Sequence, residues 1–309
     1  MTLPYRGRFA PSPTGPLHFG SLVTALASYL EAKARGGQWL VRIEDVDLPR
    51  ALPGAADGIL RTLEHLGFAW DGPVLYQSRR TDAYAAALDQ LKQGRLVYPC
   101  SCSRREIARD ARLYGEDGAA IYPGTCRHVR HCQNRQVAWR LTVADETIEF
   151  VDGVQGPITQ HLGREVGDFV LERADGLHAY QLAVTVDDEF QGVSDVVRGA
   201  DLLMSTPRQI WLQRCLGFTT PKYFHLPVVT NARGEKWSKQ TLAPAIDLSS
   251  SPRLLTHALS FLGQPVPEDL AGQTLSDVWA WAMEHWSLAR VPRRRQICDE
   301  TWVSLSGHR

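Results

Sequence analysis

The segment Arg8-Phe-Ala-Pro-Ser-Pro-Thr-Gly-Pro-Leu-His-Phe-Gly-Ser21 limits what this chain can fold into more than any other stretch. Its three prolines and two glycines exclude a regular helix or strand interior, while Leu22 to Leu30, directly after it, carry apolar residues at helical spacing. A tight loop bearing an imidazole therefore opens onto a helix. A helix amino terminus offers unpaired backbone N–H groups and partial positive charge, and Gly20 lets a ligand approach the backbone closely. The stretch suits a nucleotide phosphate.

Downstream, Gly36-Gly37 stops the helix and Trp39-Leu-Val-Arg-Ile43 reads as a buried strand that delivers Glu44-Asp45. Helix, glycine stop, apolar strand and terminal carboxylates place ligand-binding side chains at the carboxyl edge of a doubly wound parallel sheet. Residues 54–66 and 81–92 read as amphipathic helices, the second capped by Thr81. Strands are expected at 137–143, 147–151 and 168–173. A hairpin turn at Ala174-Asp-Gly176 then leads into a returning strand over 177–186. Residues 193–199 form a further strand ending near Arg198, and a helix runs from Pro207 to Cys215 behind Ser205 and Thr206 as caps. The strand 224–229, the turn Asn231-Ala-Arg-Gly234 and the lysine-bearing Glu235-Lys236-Trp-Ser-Lys239-Gln240 follow, and helices close the chain at 252–262 and 275–286.

Between Cys100 and about Arg135 the apolar periodicity fades, and charges, glycines and metal-binding side chains take its place. Such a segment buries too little apolar surface to order itself, and a bound ion is one remedy. Cys100, Cys102 and Cys126 supply three corners of a zinc tetrahedron. On ligand chemistry His128 is the commoner fourth donor, and His131 and Cys132 also stand nearby. The metal is expected to be structural, since nothing around it suggests an open coordination position.

The chain of 309 residues exceeds one typical domain, so a nucleotide fold with an insertion is expected. Lysine plus arginine balance aspartate plus glutamate at 34 each, so any nucleic-acid contact has to come from a local patch; the arginines at 290, 293, 294 and 295 are the one clear cluster. No apolar run approaches the roughly 20 residues that span a bilayer, and no secretory leader is visible, so a cytoplasmic protein is expected. Nothing in the sequence calls for more than a monomer.

His18-Phe-Gly-Ser21 resembles the first signature of class I aminoacyl-tRNA synthetases, and Lys236-Trp-Ser-Lys-Gln240 resembles the second, with Trp237 and Gln240 departing from its pattern. Arg8 to Gly15, Arg42-Ile-Glu-Asp45 and Ala179 to Asp188 are similar to stretches of the glutamyl branch in particular. The resemblance implies a class I α/β fold in which residues 1–98 and 191–245 form two halves of a Rossmann-like catalytic domain. Residues 99–190 would be a zinc-binding α+β insertion and 246–309 a short helical region. It implies that ATP is held by His18, Gly20, Ser21, Lys236, Ser238 and Lys239, with His18 and Lys239 catalytic and Mg²⁺ accompanying the phosphates. Glutamate would be held by Arg8, Phe9, Ala10, Pro11, Ser12, Glu44, Tyr180 and Arg198: Glu44 facing the ammonium group, the arginines facing the side-chain carboxylate. Shorter members of the branch are similar in placing a tyrosine four residues before the last zinc cysteine, which makes Tyr122 the implied fourth ligand beside Cys100, Cys102 and Cys126.

Full-length glutamyl enzymes continue into an anticodon-binding domain, whereas this sequence ends at Arg309. The shortened body resembles the paralogues that activate L-glutamate without tRNA and transfer it to the queuosine base of tRNA(Asp). A compact enzyme charging tRNA(Glu), or a nucleotide-binding module without catalysis, are the alternative expectations.

Overall fold

The structure, a computed structural model, describes residues 4–47, 50–115, 120–128, 135–143, 145–236, 246–299 and 301. Trp237, Ser238, Lys239 and Gln240 of the second signature, and His131 and Cys132, lie outside the described residues. The elements in chain order are β1 (Arg6–Phe9), α1 (Phe19–Ala34), β2 (Gln38–Ile43), α2 (Ala55–His65), β3 (Leu75–Tyr76), α3 (Thr81–Gln93), β4 (Val97–Cys100), α4 (Arg104–Asp110), β5 (Ala138–Leu141), β6 (Thr147–Asp152), β7 (Gly156–His161), α5 (Leu162–Glu165) and β8 (Phe169–Glu172). There follow α6 (Tyr180–Phe190), β9 (Asp195–Gly199), α7 (Thr206–Leu216), β10 (Lys222–Leu226), β11 (Val228–Thr230), α8 (Ser251–Phe261), α9 (Leu275–His285) and β12 (Gln296–Cys298).

Two parallel half-sheets meet at the centre. In the first, β2 lies between β1 and β3; in the second, β9 pairs with β10. They abut where Ser194 N–H donates to Arg6 O (3.0 Å) and Arg6 N–H donates to Ser194 Oγ (2.8 Å). The carboxyl ends of β1, β2 and β9 thereby come together, as the expected parallel α/β architecture requires. Between the halves the chain builds an antiparallel sheet, β4-β5-β8, and the hairpin β6-β7.

Helix α1 is buried along most of its length, which explains why its sequence is apolar on nearly every side. Around it, Phe9, Tyr29, Trp39 and Phe68 form an aromatic cluster that Trp279 of α9 completes, with Tyr29 5.1 Å from Trp39 and Phe68 5.1 Å from Trp279 between ring centres. Trp39 Nε1–H donates to Ser28 Oγ (2.9 Å) and Trp286 Nε1–H to the buried Glu31 (2.9 Å), so the indoles that fill this core also satisfy its polar atoms. Gly67, at φ 84°, is needed here: a Cβ would stand 2.6 Å from Trp279 Nε1. The arginine cluster belongs to this architecture too, since Arg293 Nε–H donates to Gln155 O (2.9 Å) and Gln155 Nε2–H donates to Arg294 O (3.0 Å), tying the closing segment to the β6-β7 turn.

The expected strand over 177–186 is instead helix α6. A segment buried on both sides carries a continuous apolar run, and such a run does not distinguish strand from helix. Leu182 to Asp188 are all buried. Within α6 the adjacent aspartates reach opposite layers: Asp187 accepts from Gln77, Arg80 and Tyr84, and Asp188 from Arg8 and Arg42. Two expected caps also differ. Thr81 is the first residue of α3 behind Arg80, without a side-chain cap, Ser205 precedes α7 without one, and the hydroxyl of Thr206 is engaged with Arg198. The strand over 224–229 is broken at Pro227 into β10 and β11, since proline cannot supply a ladder hydrogen bond. Among the described residues no helix is long and apolar enough to cross a membrane.

Trp39 is fully buried between α1, α2 and the sheet. Trp39→Ala is expected to lower the unfolding free energy by about 3–5 kcal/mol in urea denaturation; a loss below about 1 kcal/mol would contradict this packing.

Candidate active site

The loop after β1 is bound to the end of β2 by a hydrogen bond from Glu44 N–H to Pro11 O (3.0 Å), which places Glu44 beside Ala10 to Ser12. Across the junction of the half-sheets, β9 brings Arg198 to the same level, and Tyr180 enters as the first residue of α6. A cavity of about 560 Å³ results, within the range of small-molecule sites. Its walls include Arg8, Phe9, Ala10, Pro11, Ser12, His18, Gly20, Ser21, Glu44, Tyr180, Arg198 and Lys236. Every residue assigned to glutamate from the sequence lies in this one cavity, together with every described residue assigned to ATP. Thr14 and Leu17 of the opening motif, with Thr24, Val197, Gly199, Asp201, Leu202 and Pro227 to Val229, complete the wall without having been assigned a role from the sequence.

His18 is the N-cap of α1. Its Nδ1 accepts from Ser21 N–H (3.3 Å), and its Nε2 lies 3.1 Å from Ser21 Oγ. A side chain on Gly20 would press within 3.3 Å of the imidazole, so glycine there keeps the ring against the helix start. On the far wall Lys236 Nζ contacts Asp201 (2.5 Å).

Opposite the helix start, the charges are buried. Asp188 accepts from Arg8 Nε (3.2 Å) and Arg42 Nη1 (2.7 Å), while Glu44 receives Arg42 Nη2 (3.3 Å). Burial alone would raise the Asp188 carboxyl, but Arg8 and Arg42 outweigh it and hold it below the usual carboxylate range. Burial prevails at Glu44, which is raised despite Arg42 and Arg8. A cationic ligand group beside Glu44 would relieve that cost.

Arg198 is held differently. Its Nε–H donates to His225 Nε2 (3.0 Å) and its Nη2–H to Thr206 Oγ1 (2.8 Å). Its Nη1 is buried with no protein partner. A buried guanidinium donor left unmatched on a cavity wall is suited to a carboxylate ligand. His225 is in turn 2.6 Å from Asp152 Oδ2 through Nδ1. Burial pushes the His225 imidazole down to about 4, against the hydrogen bond to Asp152, so the ring is neutral near pH 7.

The cysteine-rich segment closes on itself beyond β4. One ligand atom from each of Cys100, Cys102 and Cys126 lies within 4.8 Å of the others, an arrangement compatible with a metal ion. Tyr122 Oη joins them, 3.4 Å from Cys100 Sγ and 3.8 Å from Cys102 Sγ, while accepting from Cys126 N–H (2.7 Å). His128 is exposed and stands outside this group of thiols. Three thiols and a phenol about one point are a donor set that fits a tetrahedral divalent ion. Asp168, which the sequence did not flag, anchors the segment to β8 by accepting from Tyr98 Oη, Arg127 Nη2 (2.5 Å) and Val143 N–H (2.7 Å).

The chain matches the family described as tRNA synthetases class I (E and Q), catalytic domain, over residues 5–253. A glutamyl-Q tRNA(Asp) synthetase of Dechloromonas aromatica is 61% identical over 297 residues, covering 96% of this chain and 99% of the relative. A protein of the same name from Neisseria meningitidis is 55% identical over 293 residues, 94% of this chain and 98% of its own. In three dimensions the fold is similar to that of the glutamate-tRNA synthetase from Elizabethkingia anophelis, with a TM-score of 0.79 at 23% identity, covering 97% of this chain and 69% of that one.

The depressed His225 imidazole has a consequence for stability. The unfolded chain takes up a proton near pH 6.5 that the folded chain refuses until about 4, so stability is complete above pH 6.5 and declines on acidification between these values. The depressed Asp152 carboxyl acts in the same direction at still lower pH. Urea unfolding from pH 7 to 4.5 is expected to show wild type losing on the order of 2 kcal/mol more than His225→Gln; parallel pH profiles would contradict it.

Proposed function

The chain belongs to the class I tRNA synthetases of the glutamate and glutamine type, and from that premise we propose that it activates L-glutamate with ATP, without tRNA, and transfers the glutamyl group to the queuosine base in the anticodon of tRNA(Asp). The observation that carries the glutamate reading is the buried, unmatched Nη1 of Arg198 in a cavity whose other charged wall offers Glu44. The acceptor is supported by relatives of that name at 61% and 55% identity over nearly all of both chains.

In this reading Glu44 receives the ammonium group, Arg198 and Arg8 receive the side-chain carboxylate, and Tyr180 donates a hydrogen bond to the amino acid. Ala10 and Ser12 contribute backbone and hydroxyl groups to the same wall. Glutamine, which cannot accept as well at Arg198, would leave a buried donor unsatisfied. The α-carboxylate attacks the α-phosphorus of ATP, the bond to the bridging oxygen breaks, and pyrophosphate leaves. No protein nucleophile is needed, so catalysis consists of alignment and charge stabilisation.

His18, Gly20 and Ser21, at the start of α1, hold the phosphate region. Lys236, Ser238 and Lys239 of the second signature bind ATP, with Lys239 acting on the departing pyrophosphate. Magnesium, when bound with ATP, supplies further neutralisation of the phosphate charge. An acceptor hydroxyl then attacks the adenylate carbonyl carbon and AMP leaves. Cys100, Cys102, Tyr122 and Cys126 hold one structural zinc, which supplies cross-linking to a segment with little apolar core of its own.

Incubating the purified chain with labelled glutamate, ATP and separate tRNAs is expected to label tRNA(Asp) containing queuosine and neither tRNA(Asp) lacking it nor tRNA(Glu). Glutamate-dependent ATP–pyrophosphate exchange should proceed with no tRNA at all. Charging of tRNA(Glu), or indifference to queuosine, would defeat the acceptor assignment. Metal analysis is expected to give about one zinc per chain, reduced in Tyr122→Phe and unchanged in His128→Ala; the reverse pattern would make His128 the fourth ligand.

A further inference from the structure

We propose that Asp152 and His225 are positioning residues that fix the Arg198 fork while leaving its charge free for the side-chain carboxylate of the amino acid; the inference rests on reading this cavity as the glutamate site. Hydrogen-bond chemistry leaves one arrangement for the relay. Arg198 Nε can only donate, so His225 Nε2, 3.0 Å away, has to accept, and Thr206 Oγ1, 3.2 Å from the same nitrogen, can meet it as a second donor. The ring proton of the neutral imidazole is therefore on Nδ1, which donates to Asp152 Oδ2 at 2.6 Å. Asp152 is itself fixed, because its Oδ1 accepts backbone N–H groups from Val154 (3.0 Å), Gln155 (2.8 Å) and His225 (3.1 Å). Arg198, His225 and Asp152 are each at most 3% exposed.

The contrast with Arg8 on the pocket wall and Arg42 behind it shows what an imidazole does here. Arg42 contacts Asp188 and Glu44 and Arg8 shares Asp188, so each has a carboxylate in direct contact. Beside Arg198 a neutral ring occupies the corresponding position, and the carboxylate of Asp152 stands one residue further back. In a water-poor site a carboxylate in direct contact would compensate the guanidinium and compete with the ligand. The imidazole aligns the fork without that compensation, and Nη1 stays unmatched. Asp152 comes from the end of the β6 strand of the insertion and His225 from β10, so the insertion itself sets the geometry of amino-acid recognition.

Asp152→Asn tests the relay, because the amide keeps an oxygen for the three backbone N–H groups but presents N–H to the imidazole. The ring proton then moves to Nε2 and opposes Arg198 Nε–H. In glutamate-dependent ATP–pyrophosphate exchange, KM for glutamate should rise at least tenfold with KM for ATP within twofold, and the preference for glutamate over glutamine should fall at least tenfold. In a His225→Gln background, whose amide oxygen still accepts from Arg198, Asp152→Asn should add nothing to KM for glutamate. Nitrogen-15 NMR of wild type should show the proton on His225 Nδ1, and finding it on Nε2 overturns the proposal without any variant. Equal, additive losses in kcat alone overturn it as well, since they would indicate only a smaller folded fraction. Arg198→Ala separates this inference from its premise. If it leaves KM for glutamate unchanged, the glutamate-site reading fails; if it raises KM while Asp152→Asn leaves KM, selectivity and tautomer as in wild type, the relay alone fails.

Discussion

One buried carboxylate, Asp188, holds one end of the cavity together. It takes Arg8 from β1 and Arg42 from β2 onto a single helix, α6, whose next residue toward the amino terminus, Asp187, is anchored on α3. Charges buried this deeply contribute little net stability, yet removing one partner leaves another uncompensated at about 3–5 kcal/mol. Such a cluster serves geometry more than stability. It fixes where β1 and β2, which carry Arg8 and lead to Glu44, end relative to α6, which begins at Tyr180.

Around that fixed point the cavity divides its tasks by charge. The start of α1 presents backbone donors, His18 and Gly20, suited to phosphate. The Asp188 side contains arginines already matched by carboxylates, and the β9 side contains an arginine matched by a neutral ring. Of the two arginines that line the cavity, Arg8 and Arg198, the latter has a buried donor without a protein partner. Asp201 also lines a second, larger cavity reaching to Tyr122 and Arg140, so the cysteine-rich segment and the first cavity are neighbours.

Much of this was legible from residues close together in the chain. The proline- and glycine-rich loop with His18, the apolar α1, the strand ending in Glu44 and the triplet Cys100, Cys102 and Cys126 each announce themselves within a few positions. The relay does not, because Asp152 and His225 are far apart in sequence and neither sits in a recognisable pattern; only the packing of β6 against β10 makes them partners. Helix α6 reads as a strand in the sequence for a related reason. Burial on both faces erases the periodicity that distinguishes the two, and the tertiary pairing of Asp187 and Asp188 decides it. The expected cap Thr206 shows the converse, a local rule overridden by a tertiary contact, since its hydroxyl accepts from Arg198.

The central claim is that the helix start bearing His18 and the arginine wall bearing Arg198 serve one aminoacyl-adenylate. A crystal structure with a non-hydrolysable glutamyl-adenylate analogue tests it most directly. The side-chain carboxylate should lie on Arg198 Nη1, the ammonium group beside Glu44, and the phosphate surrogate at the amino end of α1. An analogue bound with its carboxylate away from Arg198, or outside this cavity, would contradict it.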